Sequence, residues 1–211
     1  MKRILLSTLL IIMAAVCMQA QIKVGSLYYD NFTSSTAVVT SAPEDEKYAG
    51  DITIPRSITP DQRHKFDVVG IGSNAFKGCS GLTSISIPSS GTTIGFGAFY
   101  QCTNLQSVTF SATSQLKTIE YSAFTECESL SSIELPSTIE SIGEYAFYCG
   151  NNLKTVICNA TTVPDGTNIF LKDFILGTIP HVDIVIFLNE ISTIKSSTLV
   201  SNIISTLFSF K

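Results

Sequence analysis

The sequence repeats itself four times between residues 71 and 158, and this repetition restricts the fold more than any other feature. Each copy contains an Ala-Phe pair, followed six residues later by Leu-x-x-Ile-x-Ile or a close variant. Successive copies begin 23, 25 and 23 residues apart, and they read IGSNAFKGCSGLTSISI (71–87), IGFGAFYQCTNLQSVTF (94–110), IEYSAFTECESLSSIEL (119–135) and IGEYAFYCGNNLKTVIC (142–158). A period of this length predicts a solenoid.

The Leu-x-x-Ile-x-Ile segment predicts a short strand in every coil. Leu82, Ile85 and Ile87 then point inward, while Ser84 and Ser86 alternate outward. One coil cannot bury these side chains alone, so neighbouring coils must cover them. We therefore expect a mostly-β or α/β solenoid: a right-handed stack of about four to five coils of 23–25 residues, preceded by a small β cap.

The remaining positions of each copy form further columns along the stack. The Ala-Phe pairs are expected on the opposite, convex side, where the Phe rings stack. Three cysteines recur at the same period and are expected inside. Two extra residues within 111–118 are expected in a surface loop. The columns contain Phe76, Phe99, Phe124 and Phe147, and Cys79, Cys102 and Cys127.

The first twenty residues resemble an export signal. Lys2 and Arg3 precede an apolar run over residues 4–16, and small residues approach Ala20, which together predict a secretory signal peptide over 1–20. The apolar run is shorter than a bilayer span needs. An uncleaved anchor and lipidation at Cys17 remain as weaker alternatives.

The rest of the chain divides into three predicted parts. Residues 21–70 are expected to form the N-terminal β cap, 71–170 the solenoid, and 171–211 a degenerate C-terminal cap or tail. Alternatives for 171–211 are a segment that binds a partner and a tail that packs poorly. No membrane span is expected there, because polar residues interrupt each apolar run, namely Asn189, Glu190, Lys195 and Asn202.

The sequence offers little support for catalysis, a cofactor or a metal. Six cysteines in an exported chain suggest disulfides, but the three periodic cysteines are expected to be buried, unreactive thiols. A bridge involving Cys149 and Cys158 stays open. No Cys-x-x-Cys pair supports zinc. The two histidines, His64 and His181, have no catalytic pattern around them, so no enzyme activity and no cofactor are predicted.

The charge distribution argues against a nucleic-acid partner. The net charge is −4, and it becomes −6 without Lys2 and Arg3. Phosphate binding needs clustered basic residues, which are missing here. Between Lys117 and Lys154 there are six glutamates and no Lys or Arg. The third and fourth coils therefore present an acidic side, which either attracts a basic partner or is simply solvated.

The repeated pattern IGxxAFxxCxxLxSIxIPxS resembles the BspA-like leucine-rich repeat family. Residues 28–55 are similar to the amino-terminal cap of such proteins, and the likeness covers residues 22 to about 170. The last copy departs from the pattern, because Cys149 comes one residue earlier than the cysteine of the other copies. The resemblance implies a secreted or surface bacterial protein with a role in adhesion or host interaction.

The outward positions of the predicted strands form the candidate partner-binding surface. Small hydroxyls dominate it, and extended solenoid surfaces of this kind bind partners. The predicted binding residues are Ser84, Ser86, Ser107, Thr109, Ser132, Glu134 and Thr155. We expect a monomer that binds a protein or matrix component; the alternative is an envelope scaffold with no dedicated ligand, in which these hydroxyls only keep the sheet soluble.

Overall fold

A computed structural model describes residues 21–150 and 152–160 and the backbone of strand 184–187. Every regular element in these residues is a β-strand, and the described part of the chain contains no helix. Parallel pairing between strands of successive coils predominates. The predicted mostly-β solenoid is therefore confirmed.

The N-terminal region folds into six strands, and in the second and third of them alternate residues are buried. Leu27 and Tyr29 face the core from one strand, and Ala37 and Val39 face it from the next. The strands are β1 (Ile22–Val24), β2 (Leu27–Asp30), β3 (Thr36–Thr40), β4 (Ala49–Thr53), β5 (Ser57–Ile58) and β6 (Phe66–Ile71). The first three pair antiparallel, and β3 then pairs parallel with β6.

Each of the following coils contributes two strands on opposite sides of the stack. The longer strands, which lie in the Leu-x-x-Ile-x-Ile segment of each copy, are β7 (Gly81–Ile87), β9 (Ser107–Phe110), β11 (Ser132–Leu135) and β13 (Thr155–Cys158). The two-residue strands are β8 (Thr93–Ile94), β10 (Thr118–Ile119) and β12 (Ser141–Ile142). Strand β14 (Ile184–Phe187) pairs parallel with β13 and extends the stack.

We call the side formed by the longer strands the strand side, and the side formed by β8, β10, β12 and the turns after them the turn side. On the turn side one eight-stranded sheet runs in the order β1-β2-β3-β6-β8-β10-β12, and β5 pairs with β6. On the strand side there are two three-stranded sheets, β4-β7-β9 and β11-β13-β14. The N-terminal cap therefore contributes strands to both sides of the solenoid.

The predicted column of stacked phenylalanine rings is present in the core. The ring centroids of Phe76 and Phe99 are 5.1 Å apart, those of Phe99 and Phe124 4.9 Å, and those of Phe124 and Phe147 5.4 Å. The planes of each pair lie within 9° of parallel. The ring centroid of Tyr48, in the cap, lies 4.7 Å from that of Phe76, so the cap continues the column. Offset stacking of this kind adds to the hydrophobic burial of each ring.

Backbone hydrogen bonds connect the coils beside this column. The amide N of Phe76, Phe99 and Phe124 each donates to the carbonyl of the Ala in the next coil at 2.7 Å. Two residues per turn adopt positive φ to make this tight path; one column is Asn74, Gly97, Ser122 and Tyr145, and the other is Gly78, Gln101, Glu126 and Cys149. The turn side is thus held by its own hydrogen-bond ladder, independent of the strand side.

The cysteine column is buried, as the period predicted. Cys79, Cys102 and Cys127 are at most 2% exposed, and their thiols are free. The thiol of Cys102 donates to the carbonyl of Phe76 at 3.0 Å, and that of Cys127 to the carbonyl of Phe99 at 3.2 Å. Burial raises the pKa of Cys102 and raises that of Cys127 to about 12. These thiols therefore act as core side chains with one weak hydrogen bond each.

The segment that carries the two-residue insertion is partly exposed and partly buried. Leu116 is completely buried and Ser114 is 7% exposed, and the Ser114 hydroxyl accepts a bond from the amide of Leu116 at 3.2 Å. Only part of the segment, Ala112, Thr113, Gln115 and Lys117, is exposed. Leu116 lies three residues before Ile119, as the buried Ile139 lies three residues before Ile142, so its burial belongs to the repeat and the two extra residues fall earlier in the segment.

Candidate functional site

The strand side presents the predicted outward residues in two rows. In the first row Ser84 lies opposite Ser107, and Ser132 lies opposite Thr155. In the second row Ser86 lies opposite Thr109, and Glu134 lies opposite Ile157, which makes that end of the row apolar. Their inward neighbours, such as Ile85 and Ile133, are buried, so the inward and outward alternation agrees with the prediction.

The cap strand β4 extends both rows, which the sequence analysis missed. Asp51 lies opposite Ser84, and Thr53 lies opposite Ser86. A signal for this was available, because DITIP at 51–55 has the same pattern as SISIP at 84–88. The strand side therefore starts one strand earlier than the four repeats indicate, and it starts with a carboxylate.

Asp51 uses that position to bind two hydroxyls of the first coil. Ser84 and Thr83 donate to the same carboxylate oxygen at 2.6 and 2.8 Å. These bonds lower the pKa of Asp51 below its ordinary value, and the bond from Ser84 has the larger effect. Ser84 is therefore already engaged within the protein, which makes it a weaker candidate for partner contact than its neighbours.

Exposure separates the seven predicted residues into two groups. Ser107, Thr109, Ser132 and Glu134 are exposed. Ser84, Ser86 and Thr155 are only half-buried. Glu134 accepts a hydrogen bond from the side-chain amide of Asn159 at 3.0 Å, which fixes its carboxylate on this surface. The centre of the strand side, on β9 and β11, thus carries the accessible polar groups.

The rows are interrupted at this same centre, between β9 and β11. Strands β9 and β11 belong to different sheets, and no register pairs join them. The amides that follow β9 and β13 bond across the coils, Ser111 to Ile87 and Asn159 to Leu135, both at 3.2 Å. The equivalent position in the third coil is Pro136, which has no N–H to donate. Pro88 leaves the same gap after β7, which nevertheless pairs with β4, so the two-residue insertion between β9 and β10 is the feature that distinguishes the interrupted step.

The described residues contain no arrangement typical of a metal centre. No three His, Cys, Asp or Glu side chains come together within the part of the chain that the structure describes. His64 is exposed and its ring bonds Asp61, which also accepts the backbone amides of Arg63 and His64. The pKa of Asp61 is lowered mainly by the hydrogen bond from the His64 backbone amide and next by the bond to the His64 ring.

The structure also locates the remaining sequence features. Cys149 and Cys158 are free thiols, so the bridge that the sequence left open is absent between them. No helix in the described ranges is long and apolar enough to cross a membrane. Cys17, His181, the predicted signal peptide and most of 171–211 lie outside the described residues.

Comparisons with known proteins agree with this architecture. A sequence model of the BspA type leucine rich repeat region matches residues 69–196 in six copies, more than the four to five coils predicted from the repeats. A leucine-rich repeat protein from Bacteroides capillosus has a similar structure, with a TM-score of 0.58 and 28% identity. That match covers 66% of this chain and 99% of the other.

A second similar structure comes from a larger protein. It is a leucine-rich repeat protein from Bacteroides ovatus, with a TM-score of 0.51 and 26% identity over 68% of this chain and 41% of the other. No curated protein has a significantly similar sequence. Leucine-rich repeat proteins are in general protein-interaction modules and not enzymes. Because the family match extends over more than half of its residues, this chain belongs to the BspA type leucine-rich repeat family.

Proposed function

We propose that this chain is a secreted or cell-surface, non-catalytic module that binds a protein or an extracellular-matrix component through its strand side. The observation that carries the proposal is the group of exposed polar residues at the centre of that side, Ser107, Thr109, Ser132 and Glu134. They project from short strands that the buried core fixes in place. A regular polar surface on a rigid repeat scaffold is the kind of surface that solenoids use for partners.

The size of this surface suits one partner. It spans five described strands from β4 to β13, and it includes a fixed carboxylate at each end of its polar part, Asp51 and Glu134. Ordinary protein interfaces bury roughly 800 Å² per partner. Weak contacts on such a face gain strength when several copies are displayed on one cell surface.

The test is a binding screen of the purified chain against an array of matrix proteins and glycans, followed by substitution. We expect the double variant Ser107→Lys and Glu134→Lys to lose binding to any partner that the screen identifies. The matched control is Ser73→Lys, which places a lysine at an exposed turn-side position. Retained binding by the double variant, with an unchanged melting temperature, would place the site elsewhere.

Export is a separate part of the proposal and has its own test. We propose that residues 1–20 are removed as a signal peptide and that the cap, solenoid and tail follow at 21–70, 71–170 and 171–211. The basic and apolar pattern before Ala20 supports this. Mass spectrometry of the chain released by an expressing bacterium should show Gln21 at the amino terminus. A lipid-modified Cys17 would replace the free secreted form with a surface-anchored one.

A further inference from the structure

Three exposed aromatic side chains form a continuous row on the turn side. Phe96 is 47% exposed, Tyr121 43% and Tyr145 39%, and they account for all but one of the large exposed hydrophobic residues in the described part of the chain. The rings of Phe96 and Tyr121 are stacked with centroids 5.6 Å apart, and Tyr145 meets Tyr121 edge-on at 5.4 Å. We call these three residues the aromatic ridge.

The fold does not require rings at these positions. Counted from the Ala of each copy, the column that holds Phe96 and Tyr121 contains Ser73 in the first coil and Glu144 in the fourth. The first and fourth coils still form the usual backbone hydrogen bonds with their neighbours. The amide of Asn74 donates to the carbonyl of Phe96, and the amide of Ser122 donates to the carbonyl of Glu144. The buried phenylalanine column already fills the core beside them. An adjacent exposed aromatic row without a structural need indicates a contact surface.

Carboxylates border the ridge, and no basic side chain of the described residues forms an ion pair with them. One oxygen of Glu120 accepts the backbone amide of Phe96 at 2.8 Å, and Glu144 is exposed next to Tyr145. Neither glutamate forms an ion pair within the described residues. The nearest lysine in the sequence, Lys117, is paired with Glu140 at 2.8 Å. The ridge therefore combines aromatic rings with unneutralised negative charge.

The same protein shows twice how such a combination holds a lysine. In the cap, Lys23 lies 5.1 Å from the centroid of the Tyr28 ring and bonds Glu46, and Glu46 also accepts the Tyr28 hydroxyl at 2.8 Å.

In the solenoid, Lys77 lies 5.4 Å from the centroid of the Tyr100 ring, whose hydroxyl bonds Glu126 at 3.0 Å. In both places a lysine lies over an aromatic ring whose hydroxyl is hydrogen-bonded to a carboxylate. The aromatic ridge supplies rings and carboxylates for a third such contact.

We propose that the aromatic ridge binds a basic polypeptide segment, whose Arg or Lys side chains contact Phe96 and Tyr121 and pair with Glu120 and Glu144. Because Ser73 carries no ring, the stack ends at Phe96 and leaves one of its faces available to a guanidinium group. Arginine suits this contact best, since its planar group stacks on a ring and bonds a carboxylate at once. The ridge is separate from the strand side, so this inference stands or falls independently of the binding proposed there.

The experiment measures fluorescence anisotropy of a labelled peptide of alternating Arg and Gly residues titrated with the full chain. We expect binding that weakens at high salt, and a loss of about tenfold in affinity for Phe96→Ser with Tyr121→Ser, by the scale of aromatic–cation contacts. Serine is chosen because Ser73 shows that it fits this column. Glu144→Gln, a conservative change at an exposed site, should weaken binding without affecting folding.

Two controls keep the result specific. The matched carboxylate control is Glu128→Gln, an exposed position outside both the ridge and the strand-side rows. The matched hydrophobic control is Ile22→Ser, the remaining large exposed hydrophobic residue in the described part of the chain. Unchanged affinity in both controls, with loss in the ridge variants, supports the proposal. No binding by the wild-type chain would overturn it. An equal loss in Glu128→Gln and Glu144→Gln would also overturn it, because the attraction would then be a general effect of negative charge.

Discussion

The turn side and the strand side of the solenoid are built from the same repeats but differ in continuity. On the turn side, pairing runs unbroken through β6, β8, β10 and β12, beside an uninterrupted column of stacked phenylalanine rings. On the strand side the sheet stops between β9 and β11. The stack therefore tolerates an insertion and a proline on one side because the other side holds the coils in register.

The largest expected effect concerns the continuous side. Phe124→Ala removes a ring that is 1% exposed and that stacks on both neighbouring rings. We expect a loss of about 3 to 5 kcal/mol in the free energy of unfolding, which chemical denaturation measures. Phe96→Ala, at an exposed ring of the ridge, is the matched control and should cost much less. Equal losses would mean that the buried column does not hold the coils together.

A second prediction tests how closely the coils approach on the turn side. A Cβ atom at Gly143 would lie 2.3 Å from the Tyr121 amide N and 2.5 Å from the carbonyl carbon of Glu120. Gly143→Ala should therefore force the fourth coil away and cost about 1 to 3 kcal/mol in thermal or chemical unfolding.

Gly91→Ala is the control for Gly143→Ala. Its Cβ would meet only ordinary contacts, the nearest being the Ile87 side chain at 3.4 Å. A Gly143→Ala variant with unchanged stability would show that the turns adjust more freely than their hydrogen bonds suggest.

The buried thiols predict a loss of stability in alkaline solution. The pKa of Cys127 is raised by burial from 9.0 to about 12, so the unfolded chain ionises first as pH rises. The contribution of the neutral, buried Cys127 thiol to the free energy of unfolding is complete below pH 9, and it is lost progressively between pH 9 and about 12. Each such thiol contributes a slope of about 1.4 kcal/mol per pH unit in that window.

Denaturation at several pH values checks this slope. Cys127→Ala should flatten the decline relative to the unmodified chain, while its stability at neutral pH reports only the lost packing. Cys149→Ala, at a half-buried position, is the matched control. Identical slopes in the two variants would contradict the assignment of the effect to the buried column.

The smallest expected effect concerns the interruption on the strand side. Pro136→Ala restores an N–H where Ser111 and Asn159 each donate to the preceding coil. We expect the new amide to bond the carbonyl of Phe110, with a change in stability of no more than about 1 kcal/mol. Hydrogen exchange at residue 136 provides the measurement. Exchange at the rate of an unprotected amide would show that the insertion alone separates the two sheets.

Much of the core was predictable because it depends on sequence spacing alone. The repeat fixed which side chains face inward, so the Phe column, the Cys column and inward residues such as Ile85 were identified correctly. Leu116 was not identified, although it occupies the same repeat position as the buried Ile139, because Gly91 stands at that position in the first coil. Strand β4 was also missed, because 33 residues separate its DITIP from the first SISIP, and no 23-residue spacing connects them.

The candidate surfaces could be predicted only in part, for a different physical reason. Spacing places Ser84 and Ser107 on the outside, but it does not show that Asp51 engages the Ser84 hydroxyl. Likewise, Phe96, Tyr121 and Tyr145 do not share one repeat position, so their contact is invisible to a periodic analysis.

The sequence by itself determined the period, the inward columns and the family of this protein, because each coil repeats the same local rule. The tertiary structure alone decided where the strand side is interrupted, which hydroxyls are already bonded and which aromatic rings meet on the turn side. An inward side chain has the same surroundings in every coil, whereas an outward one depends on neighbours that the stacking brings from distant parts of the chain.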